Sequence, residues 1–318
     1  MKTGGANNLI IDGNNLLYRI FWTSNYKIEE SNNPGQVFLF LRSLKSYVDK
    51  FRPKNVYCTW DKKLEWPSTN FRREATTVEY KAGRDDEKFK NVFENAEKIQ
   101  ELLSDLGVHN IFPLRMEADD LMAYLSSKLP GPNVIITTDK DLLQTVTENT
   151  IVYTPIKKKE ISLDNFEEYT GVKKEYYISF RAVTGDKSDN IPGIPRYGIK
   201  RFLKLEHTFI SLNGDETMAL VRADELTDDQ FEIYKRNWLL MDLKKGYNYY
   251  DDEVPAYEEQ LEQLRESKCN FSKFLEQAKE LNLWSIVRNY TSWRKSFDNN
   301  EHLLNTINKA IQNASTST

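Results

Sequence analysis

Cysteine and histidine are scarce. The 318 residues hold two cysteines, Cys58 and Cys269, and three histidines, His109, His207 and His302, far apart along the chain. Two thiols cannot build a disulfide framework or a four-cysteine zinc site, and scattered imidazoles make zinc a poor candidate. No run of about 18 apolar residues is present, so nothing reads as a membrane-spanning helix. The opening MKTGGANN has one lysine and no apolar stretch, unlike a secretory leader. No internal repeat of about 20–50 residues is visible. These absences lead us to expect a soluble protein of the cell interior.

Positive charge is also not in excess. Lys and Arg number 44 against 48 Asp and Glu, a net −4. Binding to nucleic acid rests on phosphate neutralisation, so the sum argues weakly against it. The distribution argues the other way. Nine carboxylates fall into one pattern described below, and without them the remainder is net positive. Residues 190–204 carry Arg196, Lys200, Arg201 and Lys204 and no acid. An acidic site in a mildly basic shell suits a metal-dependent enzyme acting on a polyanion.

With 39% apolar and 29% charged residues, the chain can bury a sizeable core. Leu9–Ile11, Val56–Trp60, Val108–Phe112 and Val134–Ile136 read as short buried strands. Between them, Val37, Phe38, Leu41, Leu44, Val48 and Phe51 recur at helical spacing, as do Phe93, Ala96, Ile99, Leu103 and Leu106, with Gly107 as the helix stop. Ala118–Leu129 reads as a helix ended by Pro130-Gly131-Pro132. This alternation predicts a parallel α/β sheet covered on both faces. Residues 62–90 are highly charged and long for a connection, which marks a functional lid or a disordered segment. From about residue 174 the pattern turns helical.

Asp12, Asp61 and Asp139 each follow an apolar strand directly. One such Asp commonly just starts a turn. Three of them, in a parallel sheet, converge on the edge where ligands bind. Asp141 lies two residues beyond Asp139, on the same side of an extended segment. Glu117, Asp119 and Asp120 are three acids in four positions at a helix start. The helix dipole favours one acid there, but not three that repel each other unless a cation intervenes. Asp186 and Asp189 share one helical face. Oxygen ligands in excess, without His or Cys, select Mg²⁺ or Mn²⁺. Nine carboxylates exceed the need of one ion and suit two, about 4 Å apart, clamping a phosphodiester. Water is the expected nucleophile, since no Ser–His or Cys–His arrangement is visible. Gly193–Gly198 has Walker spacing, but Ile199 stands where a P-loop needs Lys. Asp12-Gly13-Asn14 lacks the second Asp of an aspartyl-phosphate phosphatase.

Four stretches together resemble the 5′-nuclease superfamily of flap endonucleases and 5′→3′ exonucleases: IIDGNN at 10–15, YKAGR at 80–84, EADD at 117–120 with TTDKD at 137–141, and GDKSDNIPGIP at 185–195. The similarity covers about residues 9–205, and KRNWLLMDL at 235–243 resembles the phage-type members. It implies a PIN-like parallel sheet flanked by helices over 1–180, with a helical arch at about 62–90. A mainly helical region over 181–318 would carry a helix-three-turn-helix DNA-binding motif at 185–205. It implies that Asp12, Asp61, Glu117, Asp119, Asp120, Asp139, Asp141, Asp186 and Asp189 ligate two Mg²⁺ ions, directly or through water, with Mn²⁺ as a substitute. Lys81 and Arg84 would be the catalytic cations of the arch, and Tyr80 would stack near the scissile nucleotide.

Gly193, Gly198, Lys200 and Arg201 would meet duplex phosphates. In our own reading, Gly193 and Gly198 free the backbone for the tight turn, which Pro192 and Pro195 stiffen. Family members often hold a monovalent cation in that turn, although Arg196-Tyr197-Gly198 departs from the usual Gly-x-Gly. The implied activity is a Mg²⁺-dependent 5′ flap endonuclease and 5′→3′ exonuclease with RNase H activity. In DNA replication it would remove RNA primers and process Okazaki fragments. The implied partner is branched DNA or an RNA/DNA duplex with a free 5′ end. A single-strand-binding protein or a sliding clamp are the candidate protein partners. The chain is expected to be a monomer in the cytoplasm, the host's if phage-encoded. Two rivals are a PIN-domain endoribonuclease, which would lack GDKSDNIPGIP, and a non-catalytic DNA-binding protein, for which clustered acids would only weaken affinity. Outside the motifs, Cys58 reads as a buried small residue and Lys157–Lys159 as a solvated loop.

Overall fold

The architecture follows from how the apolar strands alternate their side chains. The computed structural model describes residues 5–23, 34–61, 72, 86–205, 226–265 and 269–298. Strand β1 (Asn8–Asp12) leads into helix α1 (Gly13–Thr23), then α2 (Pro34–Phe51) and β2 (Asn55–Thr59). Next come α3 (Asp86–Asp105), β3 (His109–Ile111), α4 (Ala118–Lys128), β4 (Asn133–Ile136) and the hairpin β5 (Thr150–Thr154) and β6 (Lys159–Ile161). The sheet order is β3-β2-β1-β4-β5-β6. All pairs are parallel except β5 with β6.

Both faces of this sheet are covered, so the central strands β1, β2 and β4 carry apolar runs whose side chains alternate between the two sides. Leu9, Ile11, Val56, Cys58, Val134 and Ile136 face one core with Leu41, Leu44, Ile99 and Leu103. Ile10, Tyr57, Ile135 and Val152 face the other, with Leu121, Met122 and Leu125 of α4. Gly107 ends α3 at φ 76°, as a helix stop requires.

The strand order reverses at β1, whose neighbours are β2 on one side and β4 on the other. That reversal opens a crevice at the carboxyl edge of the sheet, where the chain leaves β1 and β4 in opposite directions. Asp12 ends β1, and the stretch TTDKD follows β4. Topology thus brings two of the acidic motifs to one place.

The second half contains α5 (Phe166–Thr170), α6 (Tyr177–Thr184), a small antiparallel ribbon of β7 (Gly185–Asp186) with β8 (Ile191–Pro192), and α7 (Ile199–Leu205). It continues through α8 (Asp228–Met241), α9 (Leu243–Tyr249), α10 (Val254–Arg265), α11 (Phe271–Glu280), α12 (Trp284–Arg288) and α13 (Tyr290–Phe297). Helices from beyond residue 180 contribute to both cores of the sheet. Phe274, Ala278, Leu283, Ile286, Trp293 and Phe297 join the first face of the sheet. Leu243, Tyr250 and Tyr257 join the second. A third, smaller core unites Val172, Ala182, Val183, Ile194, Tyr197, Phe202 and Tyr234 around the ribbon. Among the described residues, no helix is long and apolar enough to cross a membrane.

Candidate active site

Each strand-end acid is held by groups of neighbouring motifs. Asp12 Oδ1 accepts the backbone N–H of Asn15 at 2.9 Å, and its Oδ2 accepts the Thr137 hydroxyl at 3.0 Å. Asp61 Oδ2 accepts Asn14 Nδ2 at 2.9 Å, while its Oδ1 accepts the Ala118 N–H at 3.0 Å, at the start of α4. An exposed helix N-terminus offers unpaired amides and partial positive charge, so Asp61 is a natural occupant. Asn15 Oδ1 accepts both the N–H and the hydroxyl of Thr138, at 3.2 and 2.8 Å. The two asparagines of IIDGNN therefore lock three loops together.

Glu117, Asp119 and Asp120 offer ligand oxygens all within 4.8 Å of one another. Asp120 also has a cationic partner. It is fully buried, and Arg72 donates to its Oδ2 and Oδ1 at 2.6 and 2.5 Å. Arg72 Nε donates to the Leu240 carbonyl at 2.8 Å, at the end of α8. Burial raises the Asp120 carboxyl and the guanidinium opposes that. Asp120 also accepts the Glu117 N–H at 3.2 Å, so its charge serves the helix start and Arg72 together.

After β4, Asp139 Oδ1 accepts the Asp141 N–H at 2.8 Å, and the Asp139 N–H donates to Thr137 Oγ1 at 3.0 Å. Burial pushes the Asp139 carboxyl up to about 7, reinforced by Asp141, Asp12 and Asp189. Those four acids therefore lie in range of one another. Burial also raises Asp141, which Arg181 counteracts while Asp186 and Asp189 add to the rise. Asp186 is held low by Ser188 and Arg181, against the cost of its partial burial. Carboxylates crowded until one retains a proton near neutrality, with only oxygen donors, fit hard divalent cations. The all-oxygen donor set fits a hard divalent cation.

Beside the acids stands the ribbon. Gly185 pairs with Pro192 and Asp186 with Ile191. At Gly185, φ is +71°, and a Cβ there would lie 2.3 Å from the Gly193 nitrogen. Gly193 in turn passes so close to Thr184 that a Cβ would lie 2.3 Å from its carbonyl. Asn237, fully buried, clamps the ribbon by donating to the Ala182 and Pro192 carbonyls at 2.8 Å each. One expectation is corrected here. Gly198 has no atom within 4 Å of a built Cβ and no positive φ. Besides Gly185, the left-handed positions of this stretch are Asn190 at 58° and Arg196 at 68°. Short polar or long exposed side chains carry the turn where glycine was expected.

Lys200 and Arg201 are exposed on α7. The Arg201 guanidinium lies over the buried Tyr197 ring, 3.9 Å from its centre. Tyr80, Lys81 and Arg84 lie outside the described residues. Sequence reasoning missed Arg72 and Arg181, for which no local pattern gave a signal: Arg72 is one of an adjacent arginine pair and Arg181 stands alone before GDKSDNIPGIP. It also missed Asn14, Asn15 and Thr137 as positioning groups, though all three lie inside the quoted motifs.

Residues 7–176 match the family model described as the 5′-3′ exonuclease, N-terminal resolvase-like domain. A 5′-3′ exonuclease of Buchnera aphidicola is 30% identical over 211 residues, covering 65% of this chain and 71% of that protein. A flap endonuclease of Shewanella loihica is 30% identical over 209 residues, covering 64% and 77%. A DNA polymerase I of Lactococcus lactis is 31% identical over 241 residues, 70% of this chain but 26% of that protein. Among solved structures, the bacteriophage T5 D15 protein co-crystallised with metal ions has a TM-score of 0.63 at 22% identity. It covers 86% of this chain and 99% of its own. That likeness establishes a shared fold.

Proposed function

Because the chain belongs to the 5′-3′ exonuclease family, we propose that it is a Mg²⁺-dependent 5′ nuclease. It cuts the phosphodiesters of branched DNA or RNA/DNA duplexes near the base of a free 5′ strand. The observation that carries this reading is the convergence of acids at the switch point of the sheet: Asp12, Asp61, Asp139 and Asp141, with Glu117 and Asp119 alongside. Next to them stands a ribbon and helix bearing exposed Arg196, Lys200 and Arg201.

Asp12, Asp61, Glu117, Asp119, Asp120, Asp139, Asp141, Asp186 and Asp189 would hold two divalent ions, directly or through water. When bound, these supply Lewis-acid stabilisation of the scissile phosphate and a nucleophilic water. The rest of the chemistry belongs to the chain. Asn14 and Thr137 orient the Asp61 and Asp12 carboxylates by direct hydrogen bonds. Arg181 orients Asp141 and Asp186. Lys200, Arg201 and the backbone near Gly193 bind duplex phosphates without reading bases. Lys81 and Arg84, as the family resemblance implies, stabilise charge on the scissile phosphate, and Tyr80 stacks on a flanking base. RNase H activity, primer removal and Okazaki fragment processing fit this substrate class. A monomeric enzyme in the cytoplasm, meeting a single-strand-binding protein or a clamp, completes the reading, as does a monovalent cation in the ribbon turn.

The test is cleavage of a 5′-labelled flap duplex with Mg²⁺ and with EDTA, alongside Asp139→Asn and Lys81→Ala. Metal-dependent cutting near the junction, lost in Asp139→Asn and strongly slowed in Lys81→Ala, is expected. Binding without cutting in Mg²⁺ or Mn²⁺ would mean a non-catalytic DNA-binding protein. Cutting confined to single-stranded RNA would move the assignment to a PIN-type endoribonuclease.

A further inference from the structure

Arg181 emerges from α6 into the acidic crevice, where it is 8% exposed. Its Nε donates to Asp141 Oδ1 at 2.8 Å, and its Nη2 stands 2.7 Å from the same oxygen. Nη2 also donates to Asp186 Oδ2. Asp141 comes from the turn after β4 and Asp186 from the ribbon, so the guanidinium joins two separate elements. The second oxygen of Asp186 accepts the N–H and the hydroxyl of Ser188.

Two half-buried or buried carboxylates from different elements repel each other unless a cation lies between them. A bridging divalent ion would supply that charge, and here the chain supplies it. We propose that Arg181 is a built-in counter-cation for the second ion position: it bridges Asp141 and Asp186 and must release them before a second ion can use them. This rests on the two-ion reading above. An ion bridging the same two carboxylates meets the like charge of a buried, poorly screened guanidinium. The second ion therefore binds more weakly than the first, and Arg181 sets the difference. Arg181 is in this sense a positioning residue, acting through Asp141 and Asp186.

The sign of one measurement separates this role from a merely structural one. Mn²⁺ is titrated into the full chain without DNA, by calorimetry with free Mn²⁺ counted by electron paramagnetic resonance. Wild type should show a tighter and a weaker ion. Arg181→Gln keeps a donor but removes the charge, and should tighten the weaker ion about tenfold or more. Arg181→Lys keeps the charge and should retain the wild-type pattern. A weaker ion that is unchanged or further weakened in a folded Arg181→Gln overturns the proposal. Should that variant fail to fold, the wild-type chain decides. The Arg181 Nε–H resonance should move with the second equivalent of Mg²⁺ and not with the first, and a resonance indifferent to the second overturns the proposal. No Mn²⁺ binding at all, with no cleavage, removes the two-ion reading itself. Two ions with Arg181→Gln unchanged removes only the role of Arg181.

Discussion

Gly246 stands so close to Asp120 that a Cβ built on it would lie 1.9 Å from Asp120 Oδ1 and 2.8 Å from Arg72 Nη2. Helix α9 can lie directly over α4 because this one position has no side chain. The carboxylate it covers is fully buried and held by Arg72 through both oxygens, so it cannot swing aside. Gly246→Ala should cost at least about 2–3 kcal/mol, the upper range for overpacking a rigid core. Urea unfolding checks it, and an unchanged midpoint would mean that α9 shifts freely over the acid.

The pair beneath that glycine is an ion pair removed from water. Removing one partner leaves an uncompensated buried charge, so Arg72→Met alone should cost about 3–5 kcal/mol. Adding Asp120→Leu to it should restore much of the loss, because the desolvated charge then disappears as well. A double-mutant cycle by urea unfolding measures the difference. A double variant no better than Arg72→Met would show that the loss comes from Arg72's other contacts, to Glu117 and the Leu240 carbonyl, and not from an unpaired Asp120.

Asp139 links stability to pH. Its carboxyl titrates at about 7 in the folded chain against an ordinary 3.8. A raised acid favours the fold only while protonated. The contribution is fully present below the ordinary value and is lost as pH rises through 7. In EDTA, the melting temperature of wild type should fall between about pH 5.5 and about pH 8, and Asp139→Asn should lose less over that window. Mg²⁺ at the higher pH should restore wild type and not the variant. Parallel pH profiles for the two proteins in EDTA would place the proton elsewhere.

Salt dependence tests the basic hairpin. If Arg201 meets a phosphate, Arg201→Ala should weaken duplex binding by a similar factor for every sequence. It should also lower the slope of log K against log salt by about 1. Lys200→Ala should behave alike. Fluorescence anisotropy across a KCl series reads both, and a slope that does not move removes these residues from the interface.

The ribbon glycines separate by conformation. Gly185→Ala meets both a left-handed φ of +71° and a backbone atom at 2.3 Å, so it should unfold the ribbon and abolish duplex binding. Gly198→Ala meets open space and an ordinary φ, and should change stability by less than about 1 kcal/mol. Thermal melts of both variants, with duplex binding alongside, are sufficient. Equal damage from the two would mean that the turn depends on Gly198 in a way its surroundings do not explain.

Much of this molecule is legible one residue at a time. The strands that lead to Asp12, Asp61 and Asp139 are visible because the middle of a doubly covered parallel strand is apolar and the first acid follows at or just beyond its end. Gly107 at φ 76° is visible for the same local reason. The tertiary structure decided three things that no local pattern carries. Asp120 stands among the candidate ligands in sequence, but its charge is engaged by Arg72, 48 residues away, whose other bond reaches a carbonyl 168 residues distant. The C-terminal helices look like one helical domain, but their apolar faces went to whichever side of the sheet was uncovered. The glycines that the ribbon needs are Gly185 and Gly193, because the close approach of Gly185 to Gly193 and of Gly193 to Thr184 excludes a side chain at either position.

Chain-local chemistry determined which residues could carry the reaction, since strand ends, helix starts and turn types depend on neighbours within a few positions. Which acids remain for a cation, and which arginines already serve as one, was decided only when distant segments were brought to the same crevice. Charge compensation depends on distance in space, and the sequence holds no record of that distance.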